Sequence, residues 1–242
     1  MYQIRCFRLS CLLFAMAVIL TSLSPAQAAL ITFDFTGTIQ RVGSSFGFFP
    51  PFRSSDSVKG SFTFESTTPD ALPTSSTIGQ YGGAVKSLNF MFGSYSGGMA
   101  AGNDGVLQVQ NNTAGRDSFL VRTGFGAENL DGPPVNGLLP KDFFLRVFDN
   151  TQAMVNSVDL PTTPPTIWQN NNASTTFIIL GFPGGGINTQ VRATVDSLTL
   201  AAVPTPSSLL LMGTGLVGLI LFRRRQDHTQ RISQSKVQDE RM

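Results

Sequence analysis

The sequence predicts an all-β protein, an antiparallel β-sandwich of jelly-roll or Greek-key topology, flanked by an N-terminal signal peptide and one short C-terminal transmembrane helix. Three observations favour this fold class. Apolar and polar residues alternate with the two-residue period of half-buried strands, as in residues 31–36 and 58–64. Between the two ends, no stretch of ten or more residues has the 3.6-residue period of a helix. The same region contains 21 Gly, 11 Pro and 17 Phe, which is typical of a turn-rich protein with a large aromatic core.

About eight strands are predicted, and clusters of Gly, Pro and Asn separate them. Because no helix alternates with them, we expect two packed antiparallel sheets rather than a βα arrangement. Long loops rich in Pro, Ser and Asn are predicted at 43–57, 67–83, 124–141 and 159–172. The predicted strands are 31–36, 58–64, 85–92, 106–110, 119–123, 143–148, 175–180 and 191–200.

The first 28 residues have the three regions of a secretory signal peptide. Two arginines precede the apolar stretch 12–20, and small residues follow it. Ala26 and Ala28 supply the small side chains that signal peptidase requires, so we expect cleavage before Ala29. The alternative is an uncleaved anchor, but this apolar stretch is too short to cross about 30 Å of hydrocarbon.

Near the other end, a proline-containing segment at 203–207 ends the last predicted strand, and an apolar run at 208–222 follows and stops at three arginines. As a helix this run spans about 22 Å, which is short for a bilayer. Snorkelling arginines and local thinning of the bilayer compensate for such a length at modest cost. We expect a transmembrane helix with the arginines in the cytoplasm, by the positive-inside rule. The alternative is a buried core helix.

The order of these C-terminal elements resembles that of the PEP-CTERM proteins, which end in a Pro-Glu-Pro motif, a short hydrophobic helix and an arginine cluster. The resemblance implies a sorting signal for exosortase, a membrane cysteine-peptidase-like transpeptidase of Gram-negative bacteria that make exopolysaccharide. Thr205 stands where the family usually has Glu, and 17 residues follow the arginines, so an uncleaved single-pass protein is the alternative. By resemblance the sorting motif comprises Pro204, Thr205, Pro206, Arg223, Arg224 and Arg225.

The predicted organisation is a signal peptide at 1–28, a β-sandwich ectodomain at 29–202, a sorting signal at 203–225 with a transmembrane helix at 208–222, and a cytoplasmic tail at 226–242. We expect an exported protein that is anchored, transiently or permanently, in the inner membrane with its ectodomain in the periplasm. It would then reach the cell surface or the extracellular matrix. Signal peptidase and exosortase are the expected processing partners.

The residue types of the ectodomain argue against most catalytic chemistry. Cys6 and Cys11 lie in the signal peptide and His228 lies in the tail, so residues 29–202 contain neither Cys nor His. This excludes thiol chemistry, removes the usual base of a hydrolase triad and disfavours a zinc site. With 9 Lys and Arg against 12 Asp and Glu, the ectodomain also lacks the basic character of a nucleic-acid-binding protein. No catalytic residue, metal site or cofactor is predicted.

Aromatic side chains are the predicted glycan contacts. Phe48, Phe49 and Phe52 lie in a proline-containing loop, and Trp168 lies in another loop, where rings are available to stack on sugars. The alternative for each ring is burial in the core.

These observations together predict an exported, non-catalytic envelope or matrix protein that contacts exopolysaccharide or other surface proteins. Two alternatives stay open: an uncleaved, single-pass, membrane-anchored binding module, and a carbohydrate-active enzyme that uses a pair of carboxylates.

Overall fold

A computed structural model describes residues 29–46, 51–123, 129–166, 168, 176–184 and 187–202. Within these ranges the chain forms strands, two single 3₁₀ turns and no α-helix, so the all-β prediction is confirmed. None of the described segments is a helix that is long and apolar enough to cross a membrane. The strands are β1 (Leu30–Val42), β2 (Ser57–Glu65), β3 (Ile78–Phe92), β4 (Tyr95–Met99), β5 (Gly105–Thr113), β6 (Arg116–Thr123), β7 (Leu130–Asp131), β8 (Asp142–Asp149), β9 (Phe177–Gly181), β10 (Gln190–Ala193) and β11 (Ser197–Leu200).

Eight of these strands form a closed ring of hydrogen-bonded neighbours. The order is β1, β2, β3, β5, β6, β8, β9 and β10, and β10 pairs with β1 again. Every pairing in the ring is antiparallel, as predicted. The other three strands extend the sheet at the ring's two long strands, since β11 pairs with β1, β4 pairs with β3, and β7 pairs with β4.

The two long strands, β1 and β3, change partners along their length. Residues 33–36 of β1 pair with β11, and its residues from Ile39 onward pair with β10, with a bulge between Ile39 and Arg41. In the same way, β3 pairs with β5 through its first half and with β4 through its last four residues, and a bulge follows Gly82. Bulges bend a strand and allow it to take part in two regions of a sheet. All eleven strands are therefore one continuous sheet, and the predicted separation into two sheets is not confirmed.

Aromatic side chains fill the interior of the ring. Phe33 lies at the centre of this cluster, with its ring centroid 5.6 Å from that of Phe62 and 5.2 Å from that of Phe64. Such edge-to-face contacts add to the free energy of burial. Because all strands and this core lie between residues 30 and 200, we expect the segment 29–202 to fold by itself. The fully buried phenylalanines are Phe33, Phe35, Phe52, Phe62, Phe64, Phe90, Phe92, Phe119 and Phe143.

Two buried carboxylates hold the segment that follows β8. Asp117 accepts hydrogen bonds from the backbone N–H groups of Asn112 (2.8 Å), Met154 and Val155 (both 3.1 Å). Asp149 accepts from the N–H and the hydroxyl of Thr151 and from the N–H of Ala153. These bonds satisfy both carboxylates and fix residues 150–155 against the start of β6.

The strand positions differ from the prediction in three places. The predicted strand 191–200 is two strands, β10 and β11, because Thr194 and Asp196 interrupt it by turning their backbone N–H groups to Thr38 and Thr36 of β1. The first half of β3 lies in a predicted loop, since its glycines are typical of turns. The short strands β4 and β7 were not predicted, because neither has an alternating pattern long enough to detect.

Candidate ligand-binding face

The outer face of β6, β8, β9 and β10 carries arginines and phenylalanines at alternate positions. The neighbours of these residues along each strand, such as Val121, Leu145 and Val191, are fully buried in the core. Since successive side chains of a strand point to opposite sides of the sheet, the arginines and phenylalanines lie on its outer side. We call this surface the Arg–Phe face. Its residues are Arg116, Arg122, Phe144, Arg146, Phe148, Phe177 and Arg192, together with Arg41 of β1.

Strand register aligns these side chains into rows across the sheet. One row passes from Leu120 through Arg146 to Phe177. The next row contains, in order across β6, β8, β9, β10 and β1, Arg122, Phe144, Ile179, Arg192 and Arg41. The register therefore brings together arginines that are far apart in the sequence. Arg41 and Arg192 are 151 positions apart.

Four of the five guanidinium groups on the face stack on an aromatic ring. The central guanidinium carbon, Cζ, of Arg146 lies 3.8 Å from the centroid of Phe148, and that of Arg116 lies 5.6 Å from the same ring. Such cation–π contacts fix the plane of a guanidinium and leave its edge available for hydrogen bonds. The other two stacks are Arg122 on Phe144 (4.5 Å) and Arg192 on Phe177 (4.4 Å).

The electrostatic environment of the face is unfavourable to the positive charges that it holds. Burial lowers the pKa of Arg146, and the nearby Arg116 lowers it further. Burial likewise lowers the pKa of Arg192, and Arg41 adds to that effect. For Arg122 burial lowers the pKa, and the charge of Asp142 opposes this change. The arginines remain protonated at neutral pH, so the face carries clustered positive charge.

The described residues neutralise little of this charge. Within these residues, the ion pairs shorter than 4 Å are both made by Lys86, with Glu65 and Asp104, away from the Arg–Phe face. Buried nitrogens of the face, Nε of Arg146 and both Nε and Nη2 of Arg192, donate to no acceptor among the described groups. Donors of this kind usually bond to water or to an anionic ligand.

The charge is also unevenly distributed over residues 29–202. This segment has more acidic than basic residues, yet five of its nine basic residues, those of the Arg–Phe face, lie on one side. The concentration of charge on one face of an acidic segment points to recognition of an anion.

A cleft continues the basic surface at Arg41. Its volume is about 750 Å³, and Arg41 and Arg53 provide two guanidinium groups to its lining, together with Ser44, Ser54 and Asn188. Phe52 contributes the apolar wall. The cleft and the rows therefore share Arg41, and an extended ligand on the face would reach the cleft at that residue.

The predicted glycan contacts have different outcomes. Phe52 is only 2 % exposed, and its ring packs against Tyr95 (5.1 Å) and Phe182 (6.1 Å), so its face is not available to a sugar. Trp168 is half-buried, packs on the core and donates from Nε1 to the carbonyl of Val195 at 3.4 Å. Neither ring lies on the Arg–Phe face. The predicted contacts Phe48 and Phe49 lie outside the described residues.

Most of the predicted processing residues also lie outside the described part of the chain. Ala29 is described and exposed at the start of the segment. Outside it lie the predicted signal peptide 1–28 with Ala26 and Ala28, the predicted transmembrane helix 208–222, the predicted tail 226–242, and the predicted sorting residues Pro204, Thr205, Pro206, Arg223, Arg224 and Arg225.

Sequence reasoning did not find the Arg–Phe face. The signal was present in the predicted strand 143–148, where Phe144, Arg146 and Phe148 alternate with core residues. An aromatic residue on both sides of an outward arginine is unusual for a strand face that only contacts water. As for other chemistry, no group of three or more His, Cys, Asp and Glu able to hold a metal occurs among the described residues.

Comparison with known proteins bears on the C-terminal segment. Residues 202–225 match the family model of the PEP-CTERM protein-sorting motif, which confirms the resemblance noted from the sequence. This motif implies an exported protein that is sorted to the cell envelope with exosortase as its sorting partner. Neither the curated proteins nor the solved structures contain a match to the chain.

Proposed function

We propose that this chain, which carries a PEP-CTERM sorting motif at 202–225, is a non-catalytic protein of the cell envelope or extracellular matrix whose β-sheet segment contacts exopolysaccharide. The observation that carries the proposal is the combination of that motif with a basic, aromatic outer face on the exported segment. A signal peptide at 1–28 would export the chain, and the apolar run at 208–222 would hold it in the inner membrane until exosortase acts.

A binding role is supported by how the segment uses its polar residues. The segment 29–202 has no His and no Cys. Its two fully buried carboxylates, Asp117 and Asp149, accept hydrogen bonds from backbone N–H groups and from Thr151. Carboxylates engaged in this way hold loops rather than donate or accept a proton in a reaction. We therefore do not propose Asp117 and Asp149 as the carboxylate pair of a glycosidase.

The test follows an epitope-tagged full-length chain, with the tag directly after Ala29, in cells with and without exosortase. We expect loss of the residues after about Pro206 and release into the surface or matrix fraction only when exosortase is present. Mass spectrometry of the tagged product measures the cleavage. Unchanged mass and location in the two strains would contradict sorting.

A matched pair of variants tests whether the positive charge of the arginine cluster at 223–225, rather than the guanidinium group itself, retains the tail in the cytoplasm. Replacing Arg223, Arg224 and Arg225 by Gln should impair retention of the tail in the cytoplasm, whereas replacement by Lys should preserve it.

A protein that stays intact in the membrane of exosortase-containing cells would instead support the uncleaved binding module. The presence of Thr205 in place of Glu is the sequence feature that favours this second candidate.

A further inference from the structure

We infer that the Arg–Phe face binds a carboxylated polysaccharide, a linear polymer with acidic sugars at regular intervals. The inference rests on the proposed function, because it names the class of exopolysaccharide that the exported segment recognises. It is carried by four stacked arginines, by the spacing of the rows and by a neighbouring series of amide side chains on the same outer face.

The arginines favour an anion with planar, paired acceptor atoms. A guanidinium presents two parallel N–H groups that match the two oxygens of a carboxylate. Stacking on Phe148 and Phe177 holds Arg146 and Arg192 in fixed planes, so little conformational freedom is lost when a carboxylate binds. A bound carboxylate would also relieve the repulsion between Arg41 and Arg192, which face each other in register.

The spacing of the charges favours a polymer over a small anion. Arg146 lies on β8 and Arg192 lies on β10, and β9 separates these strands. Because neighbouring strands are about 4.8 Å apart and the two arginines lie in adjacent rows, about 6.8 Å apart along the strands, the two side chains originate about 12 Å from each other. A single carboxylate is too small to bridge them. A chain with charges repeated along its length contacts both, and it reaches Arg53 in the cleft by continuing past Arg41.

A series of amides beside the arginines favours sugar over acidic protein. Gln108 donates to Gln80 at 3.4 Å, Gln110 donates to Gln108 at 3.1 Å, and Ser118 donates to Gln110 at 3.0 Å. These side chains occupy outward positions of β3, β5 and β6: Gln80 and Gln108 continue the row of Leu120, whereas Gln110 and Ser118 lie in the neighbouring row, which continues to Phe148. Amides both donate and accept hydrogen bonds, as sugar hydroxyls do. The face thus offers partners for hydroxyls and for carboxylates side by side.

The experiment measures binding of the purified segment 29–202 to polygalacturonate by isothermal titration calorimetry. Fully methyl-esterified polygalacturonate is the matched ligand, since it has the same sugar backbone without the charge. We expect binding to the acid form that weakens as NaCl rises from about 50 mM to about 500 mM. The ester should bind at least about tenfold more weakly, because charge-assisted hydrogen bonds are lost.

Three variants assign the binding to the Arg–Phe face. The double variant Arg146→Gln/Arg192→Gln should weaken binding by about tenfold or more. Arg146→Lys keeps the charge but loses the paired N–H groups, and we expect an intermediate, severalfold loss. Lys59→Gln is the control, since Lys59 is an exposed cation on β2, across the ring from β8, and its loss should leave binding unchanged. Thermal unfolding of every variant identifies any loss that is due to misfolding.

The outcomes separate this inference from the proposed function. Any one of three results would overturn the carboxylated-polysaccharide inference. The first is equal binding of the acid and ester forms, and the second is equal affinity of the arginine double variant and the Lys59→Gln control. The third is binding of polyglutamate as tight as that of polygalacturonate. If the segment binds neutral dextran and not polygalacturonate, the inference fails while polysaccharide contact stands. If it binds neither polymer, both fail, although sorting by exosortase is still judged separately in cells.

Discussion

Asp117 and Asp149 lie directly opposite each other on β6 and β8, and neither carboxylate is exposed to solvent. Two like charges at such positions are tolerated because each carboxylate accepts hydrogen bonds from backbone N–H groups of the adjoining loops. The two carboxylates therefore have a structural role. Their hydrogen bonds offset the cost of burying them and attach residues 150–155 to the sheet.

The first prediction concerns the pH dependence of stability. Burial alone would raise the pKa of Asp149, but hydrogen bonds from Thr151, Ala153 and Met154 outweigh burial and lower it. Its stabilising contribution is therefore complete above the ordinary carboxyl pKa of 3.8 and is lost as the pH falls through the lowered value. At pH 7, Asp149→Asn should cost about 2 kcal/mol, because one oxygen acceptor becomes an amide donor.

Denaturant unfolding at pH 7 and at lower pH measures this difference. The difference in unfolding free energy between the wild-type protein and Asp149→Asn should shrink as the pH falls from 3.8 through the lowered pKa of the folded state, below which the wild-type carboxyl is protonated in both states and resembles the amide. Asp34→Asn, on the exposed side of β1, is the control and should change little. A gap that is constant with pH would show that the charge of Asp149 does not stabilise the fold.

The second prediction concerns the two tyrosines of the segment 29–202. Burial raises the pKa of both Tyr81 and Tyr95 to about 12; nearby aspartates, Asp70 and Asp159 for Tyr81 and Asp131 for Tyr95, add to the effect. Stability linked to these phenols is complete below their ordinary pKa of 10.0 and is lost as the pH rises toward about 12. Ultraviolet titration should show almost no phenolate at pH 10.0 in the folded segment and half-ionisation there in guanidinium chloride.

Each hydroxyl also donates a hydrogen bond, from Tyr81 to the carbonyl of Val158 (2.9 Å) and from Tyr95 to that of Pro133 (3.0 Å). The variants Tyr81→Phe and Tyr95→Phe assign the titration steps to each ring. A folded protein with normal tyrosine titration would contradict the described burial of both rings.

The third prediction concerns the aromatic core. Phe33 is fully buried between Phe62, Phe64 and Phe119. Phe33→Ala should reduce the free energy of unfolding by about 3–5 kcal/mol. The substitution removes buried apolar surface and leaves a cavity inside the closed ring of strands, which cannot collapse easily. Urea unfolding provides the measurement. Met91→Ala, at a side chain that is 38 % exposed, is the control and should cost under about 1 kcal/mol.

The fourth prediction concerns the sorting motif. Thr205 replaces the glutamate that PEP-CTERM proteins usually have between the two prolines. If exosortase recognises that carboxylate, Thr205→Glu should increase the processed fraction of the tagged chain, measured by pulse-chase in exosortase-containing cells. Thr205→Gln, in which the new side chain is isosteric with glutamate but uncharged, is the control for size without charge. Equal processing of all three proteins would mean that exosortase does not recognise the residue between the prolines.

The sequence predicts the strands of the interior well and their arrangement less well. Phe33 and Phe35, or Phe62 and Phe64, reveal inward-facing positions because the period of a strand is two. Closure of the ring depends instead on bulges near Ile39 and Gly82, and nothing local in the sequence marks which half of a long strand pairs with which partner.

The candidate site shows the same limit. Arg122, Arg146 and Arg192 each look like an ordinary solvent-facing cation in its own strand. Their relationship exists only through the register of β6, β8, β9 and β10, which depends on contacts between distant parts of the chain. The C-terminal sorting motif, in contrast, is a linear motif and was recognised without a structure.

Closure of the hydrogen-bonded ring has a consequence for contacts between copies of the protein. Strand edges that are free to pair are templates for amyloid-like self-association between copies. Here the described sheet ends at β11 and β7, which have four and two residues, so each end offers very little backbone for a neighbouring copy to extend. Copies at high local concentration therefore have little opportunity to associate by pairing the edges of their sheets.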